Sequence, residues 1–518
     1  VYSDTFIGRT GIELADYNTA IKVGVLSQTS TLNAATIFKG NRTYIIKPEY
    51  NTTISIVQEN INLGNTAEGT FNVFGFNDSL SSTYTNEEAR YAVIDLGGAL
   101  TTNVNKEETL ISTDNNDIQA QERHTGFNLV NVTTINVKDL TIQNAKNVLT
   151  LNKDGAIANI TNVIFANNTN AIQNTIGFVT LNNVLVEASL GQVKNNVVNN
   201  DKMMLISSSI NSSLTNTSKL NVSGTTFIEY VENSSAGIMS VVDNATINTF
   251  DNVGKFTAQG DVLVDRLNNV AGATVQNDNT LTINTGLNSG SITSINNLVI
   301  KALTNNDTGV IVTSKNAEFG TITNNGSITS SVNTSILGTI SGSGTLTLND
   351  TIDMNGIINS EQEVIFNGVM TIDNGTMNFT SNDRWLGSVD LISGTLNYSG
   401  LNENGLLTAT NGILNVLSGK LNIATGSSVA NDVTTTIAEG ATVGLSGGTL
   451  NLNVGDDWKG LVTASAGNLN VAGLTITPAQ LVINDADNSK VKVNLDNVSL
   501  KLANDVPQNF NLGVLNIN

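Results

Sequence analysis

Asp139-Leu140-Thr141-Ile142-Gln143-Asn144 is followed by Asn162-Val163-Ile164-Phe165-Ala166-Asn167 and then by Asn183-Val184-Leu185-Val186-Glu187. Leu140, Val163 and Val184 are spaced 23 and 21 residues apart. Within each unit aliphatic and polar residues alternate, and the unit closes near Asn or Gly. Alternation with a period of two sends successive side chains to opposite faces of an extended strand. A strand this short cannot bury its own apolar face, so recurrence at a coil-length interval calls for like neighbours above and below it. The expected fold is all-β: a right-handed parallel β-helix, a solenoid with an N-terminal capping region.

The second half keeps the interval in another style. Gly344-Thr-Leu-Thr-Leu, Gly375-Thr-Met-Asn-Phe, Gly394-Thr-Leu-Asn-Tyr, Gly448-Thr-Leu-Asn-Leu and Gly467-Asn-Leu-Asn-Val share one phrase. Gly375 to Gly394 and Gly448 to Gly467 are both 19-residue steps. Glycine is expected at the corners, where the backbone takes positive φ or approaches another chain closely. A β-sandwich array is the rival architecture, but it predicts turns every 8–12 residues and no lasting coil-length interval.

Composition fits a solenoid. Of 518 residues 39% are hydrophobic and only 5% aromatic, so the core is built from Val, Ile and Leu. Charged residues make up 13%, and 80 asparagines, with Thr and Ser, do the solubilising instead. Branched side chains favour extended backbone, and Asn suits tight turns and left-handed corners. Stacked Asn amide ladders are a further expectation. Residues 126–343 and 344–518 read as two stylistic parts of the helix. Residues 1–125 differ, holding six of the eight tyrosines. They read as the cap and first coils, since the raw end of a solenoid needs cover. There, Tyr44-Ile-Ile-Lys-Pro and Thr53-Ile-Ser-Ile-Val resemble strands, Glu13–Lys22 a short helix, and Thr101–Thr125 a polar excursion.

A formal charge of −20 disfavours nucleic acid and anionic bilayers as partners. No apolar run is long enough to insert directly into a membrane as a helix. With no cysteine, thiolate metal sites, disulfides and cysteine nucleophiles are excluded. The start at Val1 suggests a processed protein or an excerpt.

Few constellations carry chemistry. Gly455-Asp456-Asp457-Trp458 resembles the Gly-Asp-Asp element of polygalacturonases, with a tryptophan able to stack on a sugar. That family's downstream Gly-His-Gly and Arg-Ile-Lys elements have no counterpart, because no histidine follows His124 and no arginine follows Arg384. A turn with two solvated acids is the expected reading. Arg123-His124, near Asp114, Asp117 and Glu122, reads as a solvated loop. Asn484-Asp485-Ala486-Asp487-Asn488 and Asp114-Asn-Asn-Asp117 offer oxygen ligands to a hard cation without matching a calcium motif. Trp385, Tyr398 and Trp458 are either sugar platforms or core filling, the latter being expected. Asn41, Asn51, Asn131, Asn159, Asn221, Asn325 and Asn378 are among the many glycosylation sequons. No catalytic residue, metal ligand or cofactor is assigned, and the binding residues are open.

The Gly-Thr-Leu-Asn phrases from Gly344 to Val471, together with the missing cysteines, resemble autotransporter-type adhesin passengers. Gly155-Ala-Ile and Asn162-Val-Ile-Phe165-Ala-Asn-Asn168, with Phe379-Thr-Ser-Asn382, resemble repeats of polymorphic outer-membrane proteins. The style is also similar to adhesin-like β-helix proteins of methanogenic archaea. The likeness departs in its sparse Phe-x-x-Asn elements and in showing neither a terminal β-barrel nor a sorting motif. It implies an extracellular, cell-surface protein, an adhesin or passenger stalk that contacts glycans or proteins of host or neighbouring cells. The alternatives are a surface-layer, sheath or filament subunit that binds copies of itself, and a polysaccharide lyase or hydrolase. An enzyme is not expected.

Overall fold

Aliphatic side chains at every second position, with Asn, Thr and Ser between them, form short strands that stack in parallel register. The computed structural model describes residues 134–500, apart from 189–194, 401–404, 485–489 and a few single positions, and only isolated strands on either side. Among the described residues the one helical turn is the 3-10 segment Pro478–Gln480. The chain divides into two compact units, Val1–Asn279 and Thr280–Asn518. Each is a parallel β-solenoid, as expected.

In the first unit the deciding stretch pairs as its spacing predicts. Thr134–Gln143 runs parallel to Asn147–Ala166 with Leu140 opposite Val163, and Ile164 lies opposite Leu185. The polar residue that opens each stretch is a corner. Asp139, Asn162 and Asn183 have φ of 60°, 52° and 52°, a left-handed conformation that short Asx side chains tolerate. Their side chains stack as well: Asn162 Nδ2 donates to Asp139 Oδ1 at 2.9 Å, and Asn183 Nδ2 to Asn162 Oδ1 at 2.7 Å.

Later coils combine a long bent strand with a short one. Ala245–Asn252 reads in-out-in-out-out-in-out-in, so its two adjacent outward residues, Asn248 and Thr249, mark a bend. From Ser209–Asn216 to Val262–Asn269 each long strand ends in a fully buried asparagine, and Asn174 and Asn199 occupy the same corner in the two coils before. Asn174, Asn199, Asn216, Asn233, Asn252 and Asn269 form one column, joined by Nδ2-to-Oδ1 hydrogen bonds of 2.8–3.0 Å. In the second unit Asn288, Asn305 and Asn324 do the same, at 2.7 and 2.8 Å. These amides also satisfy corner carbonyls, as Asn233 does for Gly237 O and Lys255 O. A buried amide that loses its neighbour in the ladder is costly, which explains why the corner keeps an amide in successive coils where an aliphatic would pack.

The ladder also reveals the coil length. From Asn216 onward the steps alternate between 17 and 19 residues. Asn252 is followed by a two-residue turn, Val253-Gly254, and Asn233 by a four-residue turn, Ser234–Gly237.

Between about residues 345 and 398 the coils have three short strands: Glu363–Phe366, Val369–Ile372 and Thr376–Phe379, then Arg384–Trp385, Ser388–Leu391 and Thr395–Tyr398. Gly368, Gly387 and Gly405 stack at one corner. A Cβ on Gly387 would lie 1.9 Å from Gly368 O, and one on Gly405 1.6 Å from Gly387 O. The phrases at Gly344, Gly375 and Gly394 open strands, whereas the one at Gly448 follows a register shift inside the strand Thr442–Leu452, and they lie on different walls. Thr345–Leu348 pairs with Glu363–Phe366, Thr376–Phe379 with Thr395–Tyr398, and Thr449–Leu452 with Asn468–Val471. The phrase marks a corner chemistry, not one register line.

One expectation is corrected near the N-terminus. Instead of a helix over Glu13–Lys22, Ile12–Tyr17 and Ile21–Leu26 are antiparallel strands. The two-residue alternation of Ile12 and Leu14 with Glu13 outweighs the helical spacing once a partner strand is available. The expected strands Tyr44–Pro48 and Thr53–Val57 overlap the observed Arg42–Ile46 and Thr52–Ile56. The Thr101–Thr125 excursion lies outside the described residues, save Thr125, which opens the strand Thr125–Leu129.

Candidate functional site

Asp456 sits on the turn before Asp457-Trp458. Its Oδ1 accepts from Thr435 N at 2.7 Å, and its Oδ2 from Asn453 N at 2.6 Å. Asp383, on the turn before Arg384-Trp385, does the same with Val364 N at 2.8 Å and Thr380 N at 2.6 Å. The indole N–H groups match too: Trp385 donates to Gly387 O at 3.1 Å and Trp458 to Gly460 O at 3.0 Å. Asp-x-Trp-x-Gly is thus a corner used twice, in which the carboxylate ties two coils through backbone amides. Burial pushes both carboxyls above the usual carboxylate range, and the amide hydrogen bonds offset only part of this. Asp457 is exposed and ion-paired with Lys459 at 2.5 Å. The polygalacturonase likeness therefore falls on a structural turn.

The aromatic residues fill the core. Trp385, Tyr398 and Trp458 are only 1%, 2% and 7% exposed, which removes them as sugar platforms. Trp385 stacks on Phe379 at 5.0 Å and meets Tyr398 edge-on at 6.0 Å. With no water to stabilise the phenolate, burial raises the Tyr398 pKa to about 12. Arg123, His124, Asp114, Asp117, Glu122 and Asp485–Asn488 lie outside the described residues, as do Asn41, Asn51 and Asn131. Of the other sequons, Asn221 is exposed, Asn325 is half-buried, and Asn159 and Asn378 are half-buried in amide pairs with Asn136 and Asn397. Among the described residues no three His, Asp or Glu side chains converge as a metal site, and no helix is long and apolar enough to cross a membrane.

The outward faces are where polar groups converge. In the second unit a groove of about 360 Å³ is lined by Asn297, Asn316, Asn333, Val299, Glu318 and Asp353, among others. Its amides form a surface ladder: Asn316 Nδ2 donates to Asn297 Oδ1 at 2.8 Å, and Asn333 Nδ2 to Asn316 Oδ1 at 3.2 Å. Beside it runs a register line of Glu318, Ser335, Asp353, Thr371, Asp390 and Thr408. Acid alternates with hydroxyl, which keeps like charges off adjacent strands. Leu298, Ala317 and Thr334 form the buried floor. Such a groove can donate and accept hydrogen bonds at a fixed axial repeat along an extended ligand.

Comparison with protein-family models, with curated proteins and with solved structures finds no match. The fold is a parallel β-solenoid. Sequence reasoning missed the groove because its members, Asn297, Asn316 and Asn333, become neighbours only through the 19- and 17-residue coil steps. The available signal was Gly290-Ser-Ile-Thr-Ser294, repeated as Gly326-Ser-Ile-Thr-Ser330, two coils later.

Proposed function

We propose that this chain is a non-catalytic extracellular surface protein, an adhesin or passenger-type stalk whose lateral face contacts glycans or proteins. The observation that carries this reading is the groove beside Asn297, Asn316 and Asn333. Amide and hydroxyl groups recurring at ~4.8 Å suit many weak contacts with an extended polymer. The carbohydrate-cleaving alternative loses its candidate pair, since Asp456 holds two backbone amides and Asp457 is paired with Lys459. Labelling of intact source cells with a membrane-impermeant amine reagent should tag this chain. Recovery of unlabelled protein from the cytosol alone would sink the proposal.

A second reading, a self-assembling layer or filament subunit, is favoured by one apolar patch. Val369, Leu386 and Leu406 are 42%, 50% and 44% exposed around a groove of about 460 Å³ at Gly368, Gly387 and Gly405. Sedimentation of the purified chain decides between the two readings, with ordered assemblies supporting the subunit and a monomer supporting the stalk.

A further inference from the structure

One wall of the first unit is cationic although the chain carries a net charge of −20. Lys202, Lys219, Ile238, Lys255 and Thr274 stack in one register line. All five are exposed. None of the three lysines forms an ion pair with a described residue. The acid next in sequence, Asp201, turns its carboxylate to Gly177 N at 2.9 Å. The parallel outward line is Met204, Asn221, Ser240, Thr257 and Gln276, which contains no acid. Lys202 and Lys219 are direct neighbours on adjacent strands, an arrangement that repels. With few basic residues in the chain, such stacking is unfavourable in the free protein and is relieved by a bound anion.

The base of this ridge is fixed. Buried Asn174, Asn199 and Asn233 donate to the backbone carbonyls of Lys202, Lys219 and Lys255 at 3.0, 2.9 and 3.2 Å. The three ammonium stems thus emerge from a rigid corner across three coil steps, ~14 Å along the axis.

We propose that this ridge binds a linear anionic glycan lying along the coil axis; the proposal deepens the surface-binding reading above and rests on it. A single file of cations matches one thin chain of separated carboxylates or sulfates. The adjoining Asn221, Ser240 and Thr257 supply hydrogen bonds for sugar hydroxyls. A bilayer needs a broader basic cluster and a duplex many more phosphate contacts. A second copy of the chain would bring the same large negative charge. On the adjoining wall Asp251 accepts from Tyr230 at 2.7 Å and from Asn268 at 3.1 Å, and the field of an exposed acid fades over ~8 Å at physiological ionic strength.

The test is retention of the full chain on immobilised polygalacturonate, dextran sulfate and neutral dextran at about 0.15 M salt. The expected result is binding to one or both anionic polymers and none to dextran; which polymer wins separates carboxylate from sulfate. K202Q/K219Q/K255Q should weaken that binding about tenfold or more, the all-arginine triple should keep it, and K301Q/K315Q should leave it unchanged. Equal binding to dextran, no anionic binding, or full binding by the glutamine triple overturns the ridge. Surface labelling on cells that survives such a failure leaves the surface reading standing. Ridge-dependent binding by a chain found only in the cytosol overturns the surface reading and upholds the ridge.

Discussion

Asn233 accounts for much of how a polar residue serves this core. It is fully buried, accepts from Asn216, and donates to Asn252 and to two corner carbonyls. Asn233→Ala removes all of these at once and leaves the buried Asn252 Oδ1 without its ladder donor, at a cost of about 1–3 kcal/mol. Asn233→Asp should be worse, because a carboxylate oxygen would face three acceptors in a dry column. Thermal unfolding of both variants checks this order; equal stability of the aspartate variant and the parent protein would contradict the ladder. Half-buried outward asparagines such as Asn415, paired only with Asn397 at 2.8 Å among the described residues, should tolerate alanine within about 0.5 kcal/mol.

At the scale of elements, the twice-used Asp-x-Trp-x-Gly corner makes a pH prediction. Burial raises the folded-state pKa of Asp383 and Asp456 above that of an unfolded carboxyl. The folded chain therefore binds more protons at these two sites than the unfolded chain does. Their contribution to stability is full below the ordinary carboxylate range and is lost as pH rises through the raised values. Unfolding midpoints of D383N/D456N, measured from acid to neutral pH, should lack this fall relative to the parent protein. An identical slope in both proteins would refute it. The same corners hold the tryptophans in place, so their indole N–H groups reach Gly387 O and Gly460 O instead of solvent.

For the molecule as a whole, charge is the controlling quantity. A net charge of −20 and a sequence pI near 4.3 keep copies apart at neutral pH. Light scattering should show association rising as pH falls towards 4.3, with exposed Val369, Leu386 and Leu406 available for contact once repulsion fades. Scattering that stays flat across that range would argue against the apolar patch as a contact surface. The lysine ridge matters for the same reason: it is a local exception to the sign of the whole, and it can act on a ligand only at short range.

The sequence alone determined that the chain coils. A two-residue alternation recurring at coil-length intervals, with few aromatics and many Asn and Gly residues, leaves stacked parallel strands as the way to bury Val, Ile and Leu. Leu140 and Val163 were legible as partners because both lie at the same point of a repeated phrase. Tertiary structure decided which asparagines lie inside, which wall each Gly-Thr-Leu phrase occupies, and that Lys202, Lys219 and Lys255 share a line. The physical reason is register. Turns of two and four residues alternate, so coil steps of 17 and 19 residues interleave. A one-residue slip sends a side chain to the opposite face. A phrase gives distance along the chain, and only the closed backbone ladders convert that distance into neighbours in space.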